Sequence, residues 1–242
     1  MGSPQRDHWT RAMEKESTSI LLNNTCSALN SREAWQPQVK LISSSSVYKT
    51  QHNPDASTWF KARLFIKGYE QMDFVETYAP VGKLTTFWYV IALIGRYGWN
   101  MAQLDVLTTI LNSEIDNDNI YMTLPEGWQE GFNTPKIVVR LRKALNGLIQ
   151  APRLWHDDMN AFLLSLGLTQ CLADPNLYPR SDGILILLYV DHFSMPYPEA
   201  AAKAAIEVKA TQSEKYKILN LGLAHQFVGI EIHRDATGVL LR

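Results

Sequence analysis

The sequence has 242 residues, of which 46% are hydrophobic, and its formal net charge is −1 at pH 7. A chain of this length and composition can bury a substantial core, and its balanced charge lacks the basic excess that is usual in nucleic-acid-binding domains. Its two cysteines, Cys26 and Cys171, form no CxxC motif, which argues against a disulfide framework and against a cysteine-based zinc site.

The beginning of the chain carries the weakest structural pattern. A short helix is predicted over residues 9–22, followed by a polar stretch in which residues 43–46 are all serine and by the turn-like sequence Asn53-Pro54-Asp55. We therefore predict that residues 1–46 are a loosely packed N-terminal extension and that residues 47–242 form the main part of a single domain.

From Lys61 onward, hydrophobic periodicity and punctuating residues predict a series of helices and strands. Thr85 or Thr86 is expected to cap the first of these helices. In chain order, we predict a strand over 61–67, a helix ending at Gly98, a strand over 101–106, a helix from Pro152 to Gly167, a strand over 183–190, a helix from Pro198 to about residue 216 and a hairpin over 226–241. The elements do not alternate as βαβ units, which favours an α+β fold with helices backing an antiparallel sheet.

The sequence shows no targeting signal and no membrane-spanning segment. The N-terminal residues have no apolar signal core, and every apolar run is too short to cross a bilayer. We therefore expect an intracellular protein without a membrane-spanning segment, and we assign it no compartment.

Two aspartates stand at the ends of apolar strands. Asp105 lies in Gln103-Leu-Asp-Val, and Asp191 follows the apolar run that ends at Val190. A carboxylate at a strand end is held rigidly while it faces solvent, which suits the binding of divalent cations. Because aspartate is also a common hydrogen-bonding residue of turns, this pattern alone leaves a metal site and a plain turn as open alternatives.

Short motifs along nearly the whole chain occur in the order and approximate spacing of one known family. They are Lys61-Ala-Arg-Leu, Glu76-Thr-Tyr-Ala-Pro-Val, Gln103-Leu-Asp-Val, Leu124-Pro-Glu-Gly-Trp, Gln150-Ala-Pro-Arg-Leu-Trp, Ala173-Asp-Pro-Asn-Leu-Tyr, Ile186-Leu-Leu-Tyr-Val-Asp and Phe227-Val-Gly-Ile-Glu-Ile. On these motifs the sequence resembles the reverse transcriptase domain of Ty1/copia-type retrotransposons, most clearly over residues 47–241.

This resemblance implies an RNA-directed DNA polymerase with the fingers and palm of a right hand, an antiparallel palm sheet and a thumb that is largely absent. Asp105 and Asp191 would be its palm carboxylates, holding two Mg²⁺ ions, or Mn²⁺, for nucleotidyl transfer. The implied partners are an RNA or DNA template-primer and deoxynucleoside triphosphates, and the oligomeric state is not indicated. The residues implied in nucleotide binding are Lys61, Arg63, Val106, Ile110 and Glu126.

The catalytic turn departs from the family pattern. It is Tyr189-Val190-Asp191-His192, with a histidine where the family has a second aspartate. A neutral imidazole adds no negative charge, and Mg²⁺ prefers oxygen ligands. Ile110 stands where the family has an aromatic residue that senses the sugar 2′-position, and Asn146 and Ile149 interrupt a segment near the implied template path. We therefore expect weakened metal binding and impaired catalysis.

Two other functions remain open from the sequence. The chain could be a catalytically inert retrotransposon remnant or a weak nucleic-acid-binding module. It could also be a metallohydrolase that uses Asp105, Asp191 and His192 as a transition-metal site, although the sequence offers no further strong ligand.

Overall fold

The computed structural model describes residues 5–29, 41–52, 57–72, 76–116, 119–128, 138–227, 230–235 and 238–241. The predicted turn at residues 53–55 lies outside the described residues. The chain divides into two compact units, of which the first comprises Met1–Tyr78 with Ile110–Trp155 and the second comprises Ala79–Thr109 with His156–Arg242. In the described part of the chain, no helix has both the length and the apolar character needed to cross a bilayer.

The described residues form helices and strands in a mixed order. In chain order they are α1 (Arg6–Leu22), β1 (Cys26–Ala28), β2 (Leu41–Ile42), β3 (Ser44–His52), β4 (Thr58–Ile66), α2 (Leu84–Tyr97), β5 (Asn100–Val106), β6 (Tyr121–Thr123), β7 (Val138–Leu141), α3 (Ala151–Ser165), β8 (Leu177–Pro179), β9 (Leu185–Tyr189), β10 (His192–Tyr197), α4 (Ala202–Lys215), β11 (Ile218–Leu223), β12 (Gln226–Phe227), β13 (Ile230–Asp235) and β14 (Gly238–Leu241). The predicted α+β class is therefore confirmed.

The first unit combines a four-stranded sheet with a hairpin. The sheet has the order β1-β7-β6-β2, in which only the β2–β6 pair is parallel. Strand β3 pairs with β4 along its whole length, and helix α1 packs against the hairpin, with the ring of Trp9 4.7 Å from that of Phe60. The buried core takes alternate residues of the strands, including Leu64, Ile66, Met122, Val139 and Leu141.

The serine run that the sequence marks only as polar belongs largely to strand β3. The Ser44 hydroxyl donates to the carbonyl oxygen of Thr123, and the Ser46 hydroxyl oxygen accepts a hydrogen bond from Trp128 Nε1–H at 2.7 Å. Serine has little intrinsic preference for strands, but these serines form a strand because they pair with β4, whose residues there are apolar.

The second unit is built on a five-stranded sheet of order β11-β5-β10-β9-β8, and every pair in it is antiparallel. Helix α2 packs four buried side chains against Met101 of β5 and Leu187 of β9. These four are Phe87, Val90, Ile91 and Ile94. The helix ends, as predicted, at Gly98, whose φ of +64° places it in the left-handed conformation that favours glycine.

The start of helix α2 differs from the prediction. Thr85 and Thr86 are not the cap, because the helix begins at Leu84 and Lys83 is its N-cap residue. The buried Asp174 supplies the cap: its Oδ2 accepts hydrogen bonds from Lys83 N–H at 2.9 Å and from the Thr86 hydroxyl at 2.5 Å. A carboxylate at a helix N-terminus also interacts favourably with the helix dipole.

We expect Asp174→Ala to lower the free energy of unfolding by about 3 kcal/mol, because the charge-assisted hydrogen bonds from Lys83 N–H and the Thr86 hydroxyl are lost and these partly buried donors are left without an acceptor. The control is Glu214→Ala, which removes the same charge from an exposed position on α4 and should change stability by less than about 0.5 kcal/mol. Urea denaturation followed by circular dichroism measures both. Equal losses in the two variants would contradict the capping role.

Candidate active site

The two aspartates singled out above meet at one end of the five-stranded sheet. Asp105 is the penultimate residue of β5, and Asp191 lies in the tight turn between β9 and β10. Strand β10 places His192 directly opposite Asp105 on one side and opposite Tyr189 on the other. The Val106 N–H donates to the carbonyl oxygen of Asp191 at 3.0 Å, so the turn is fixed to β5.

Val190 gives this turn an unusual backbone conformation. Its φ is +59°, in the left-handed region that costs a non-glycine residue about 1–2 kcal/mol and is rarest for β-branched side chains. Such strain persists where the surrounding pairing over-determines the backbone. Here the pairing of β10 with both β5 and β9 holds the turn, in which the Asp191 carboxylate lies 3.7 Å from His192 Nε2.

The side chains of Asp105, Asp191 and His192 form one polar cluster. His192 Nδ1 lies 3.1 Å from Asp105 Oδ1, and His192 Nε2 lies 3.7 Å from Asp191 Oδ1. One ligand atom from each residue lies within 4.8 Å of the other two. The side chains are 24%, 46% and 42% exposed, respectively, so the cluster opens to solvent. Among the described residues, no other group of three such side chains approaches this closely.

As its side chains stand, this cluster does not fit the pair of Mg²⁺ ions that the resemblance implies. Mg²⁺ requires near-octahedral oxygen ligands at about 2.0–2.1 Å. The imidazole of His192 instead stands between the two carboxylates, contacting Asp105 through one nitrogen and approaching Asp191 with the other. The donor set is therefore two carboxylates and one imidazole, which suits a transition metal better than magnesium.

Lys61 and Arg63 lie on β4 in the first unit, opposite Lys49 and Val47 of β3. Arg63 is not directed only toward solvent, because its Nη1–H donates to Glu16 Oε2 at 2.6 Å. Glu16 belongs to α1 and is only 4% exposed, whereas the Arg63 side chain is 34% exposed. Arg63 therefore anchors α1 to the hairpin in addition to any role with a ligand.

Arg63→Ala is expected to lower the free energy of unfolding by about 2 kcal/mol, since it leaves the buried Glu16 carboxylate without its cation. Breaking a fully buried pair typically costs more, and the partial exposure of Arg63 reduces the effect. Lys49→Ala, which removes an exposed cation from the same hairpin, is the matched control. Chemical denaturation that found no difference between these variants would refute the anchoring role.

The remaining predicted nucleotide-binding residues lie in different settings. Val106 ends β5 in the second unit and is 3% exposed, and its N–H is engaged by the Asp191 carbonyl oxygen. Ile110 is partly buried against the core of the first unit. Glu126 is exposed in a turn of the first unit, next to Gly127, which has a φ of +84°.

Sequence reasoning missed several ionic side chains that organise the two units. The Arg153 guanidinium donates to the Glu76 carbonyl oxygen at 2.9 Å and to the Asp116 carboxylate. Glu16 precedes the buried Ile20 by one helical turn, and that spacing is a signal that the acid faces inward. Asp174 had a weaker signal, because an Asp-Pro-Asn sequence indicates only a local turn.

Comparisons with known proteins support the family resemblance that the sequence motifs indicate. A family model described as reverse transcriptase (RNA-dependent DNA polymerase) matches residues 34–242. The chain is 30% identical, over 98% of its length, to the Retrovirus-related Pol polyprotein from transposon TNT 1-94 of Nicotiana tabacum. It is 31% identical, over 97% of its length, to the corresponding polyprotein from transposon RE2 of Arabidopsis thaliana. The chain spans 18% and 16% of the lengths of these two relatives.

Proposed function

The chain belongs to the reverse transcriptase family of copia-type retrotransposon Pol polyproteins, and we propose that it is an RNA-directed DNA polymerase domain whose nucleotidyl transfer is impaired by His192. In this proposal the five-stranded sheet is the palm, and the β3–β4 hairpin belongs to the fingers. The substrates are a template-primer of RNA or DNA and deoxynucleoside triphosphates.

One observation carries the palm assignment. The β5–β10 register sets Asp105 opposite His192, and the β9–β10 turn adds Asp191 to the same cluster. One carboxylate on a strand and a second in the turn beside it are an arrangement that can hold metal ions next to a reacting phosphate. This cluster therefore supports Asp105 and Asp191 as the catalytic carboxylates.

The same cluster supports the proposal that nucleotidyl transfer is impaired. In a two-metal site, the ions stabilise both the attacking and the leaving oxygen, and the protein must supply the negative charge that holds them. Here Asp105 faces an imidazole at 3.1 Å instead of a second carboxylate. An imidazole provides at most one nitrogen ligand and no negative charge, so Mg²⁺ is bound more weakly and transition-state charge is less well stabilised.

We assign one face of the β3–β4 hairpin, which carries several cations, to the fingers. Lys49, Lys61 and Arg63 occupy cross-strand pairs that share one face of the β3–β4 hairpin, and a concentration of positive charge is suited to phosphate groups. Glu16 holds Arg63 in place, which would restrict its side chain to one direction. We also propose nucleotide-binding roles for three further residues, Glu126, Val106 and Ile110.

The test is primer extension on an RNA template with Mg²⁺ and, separately, with Mn²⁺. The native chain, His192→Asp and the double variant Asp105→Asn/His192→Asp are compared. The proposal requires little activity in the native chain, a gain in His192→Asp and loss of that gain in the double variant. A folded His192→Asp protein that extends no primer would favour the inert remnant instead.

A further inference from the structure

We infer that Asp105, Asp191 and His192 together form a binding site for a single Zn²⁺ ion, or a chemically similar transition-metal ion such as Co²⁺, in preference to Mg²⁺. The inference concerns the site of the proposed function, and it rests on that proposal only in treating this cluster as the metal-binding centre. The inference replaces the two Mg²⁺ ions that the family resemblance implies with one transition-metal ion.

The donor atoms are the first support. Zinc takes imidazole nitrogen and carboxylate oxygen at about 2.0–2.2 Å, commonly from three protein ligands with an open fourth position. Two such tetrahedral ligands are about 3.4 Å apart by simple geometry from those bond lengths. His192 Nδ1 lies 3.1 Å from Asp105 Oδ1, close to this spacing. One ligand atom from each of the three residues lies within 4.8 Å of the other two, so the Asp191 side chain must move closer when the ion binds.

The contact between the His192 ring and Asp105 is the second support. The Nδ1 atom is shielded from solvent and lies 3.1 Å from Asp105 Oδ1. This contact already directs a ring nitrogen and a carboxylate oxygen toward each other. A metal ion bound by these two atoms would replace the ion pair, with the lone pair of the nitrogen directed to the ion.

The charge balance also favours one ion. Two carboxylates and a neutral imidazole carry two negative charges, which a single divalent cation neutralises. A second cation would find no further charged ligand within the cluster, since the described residues contribute only these three side chains. The solvent-exposed side of the cluster leaves the remaining coordination positions to water.

Two of the three ligands are held by the sheet itself. Asp105 and His192 are cross-strand neighbours in the β5–β10 pair, and the backbone of Asp191 is fixed by the hydrogen bond from Val106 N–H. Ligands on rigid strands require little reorganisation before the ion binds. This rigidity distinguishes the cluster from a pair of side chains that meet on a flexible surface.

The chain contains a natural control for imidazole–carboxylate contacts. His233 Nε2 lies 3.2 Å from Glu231 Oε2 on β13, and both side chains are more than half exposed. That pair has no third ligand among the described residues. It should therefore bind Zn²⁺ much more weakly, and His233→Ala should leave the metal content unchanged.

The experiment is equilibrium dialysis of the full chain against Zn²⁺ in the presence of excess Mg²⁺ at fixed neutral pH, with metal content measured by mass spectrometry. Co²⁺ absorption spectra report the ligand set. We expect about one zinc ion per native chain, at least a tenfold weaker affinity in His192→Ala and in Asp191→Asn, and native affinity in His233→Ala. His192→Asp should reduce the preference for Zn²⁺ over Mg²⁺, because the nitrogen ligand is replaced by an oxygen ligand.

Native protein that retains no zinc, or zinc retention that is equal in native protein and His192→Ala, would overturn the inference and leave His192 as an internal ion-pair partner only. These outcomes are separate from those of the polymerase test, because dialysis uses neither template nor nucleotide. A zinc-free native protein whose His192→Asp variant extends primers would refute this inference alone. Efficient Mg²⁺-dependent extension by a zinc-binding native protein would refute the proposed impairment alone.

Discussion

Replacing His192 with aspartate is expected to raise Mg²⁺-dependent primer extension by roughly a thousandfold, which corresponds to about 4 kcal/mol of transition-state stabilisation. The substitution restores the second carboxylate directly opposite Asp105. It also removes the ring that stands between the two existing carboxylates. Metal ions then find the negatively charged oxygen ligands that Mg²⁺ prefers.

The same substitution should make the folded state depend on metal. With EDTA present, the His192→Asp protein has three carboxylates in one cluster, and like charges on directly opposed strand residues are destabilising. Its melting temperature should therefore be lower than that of the native chain in EDTA and should rise when Mg²⁺ is added. A variant that melts like the native chain under both conditions, and remains inactive, would contradict this account of the site.

The second large effect is predicted for Gly147→Ala, which should lower the free energy of unfolding by about 4 kcal/mol or more. Gly147 has a φ of +92°, and a Cβ atom built on it would lie 2.1 Å from the Ile66 carbonyl oxygen. That oxygen belongs to the backbone at the end of β4, where Ile66 N–H donates to the Asn146 carbonyl oxygen at 2.9 Å. The clash therefore cannot be relieved by moving a flexible side chain.

Gly167→Ala is the matched control for Gly147→Ala. Gly167 also has a positive φ, +78°, but a Cβ atom there would meet nothing within 4 Å. Only the left-handed backbone penalty remains, about 1–2 kcal/mol. Urea denaturation of both variants separates the two contributions, and losses of the same size would show that the close approach of Gly147 to Ile66 does not determine stability.

The chemistry of the site was accessible from local sequence. Asp105 and Asp191 each follow an apolar strand pattern, and His192 is visible as a departure within a short motif. Helix ends such as Gly98 were equally accessible, because a glycine after an apolar helix has a direct steric reason to stop it. These features depend on residues that are neighbours in the chain.

Contacts between distant parts of the chain were not accessible in this way. Asp174 caps a helix that begins about 90 residues earlier, and nothing near Lys83 or Thr86 indicates which carboxylate will reach them. Glu16 and Arg63, 47 residues apart, meet for the same reason. Hydrophobic periodicity reports which face of an element is buried, but it does not report which element will cover that face.

The sequence by itself determined the family and the α+β class, and it singled out the three residues that the structure brings into one cluster. Only the tertiary structure decided that the His192 ring stands between the two carboxylates. That position follows from the register of β10 on β5 and from the strained turn at Val190. Register is set by the packing of whole strands, and a shift of one residue would have turned His192 to the opposite face of the sheet.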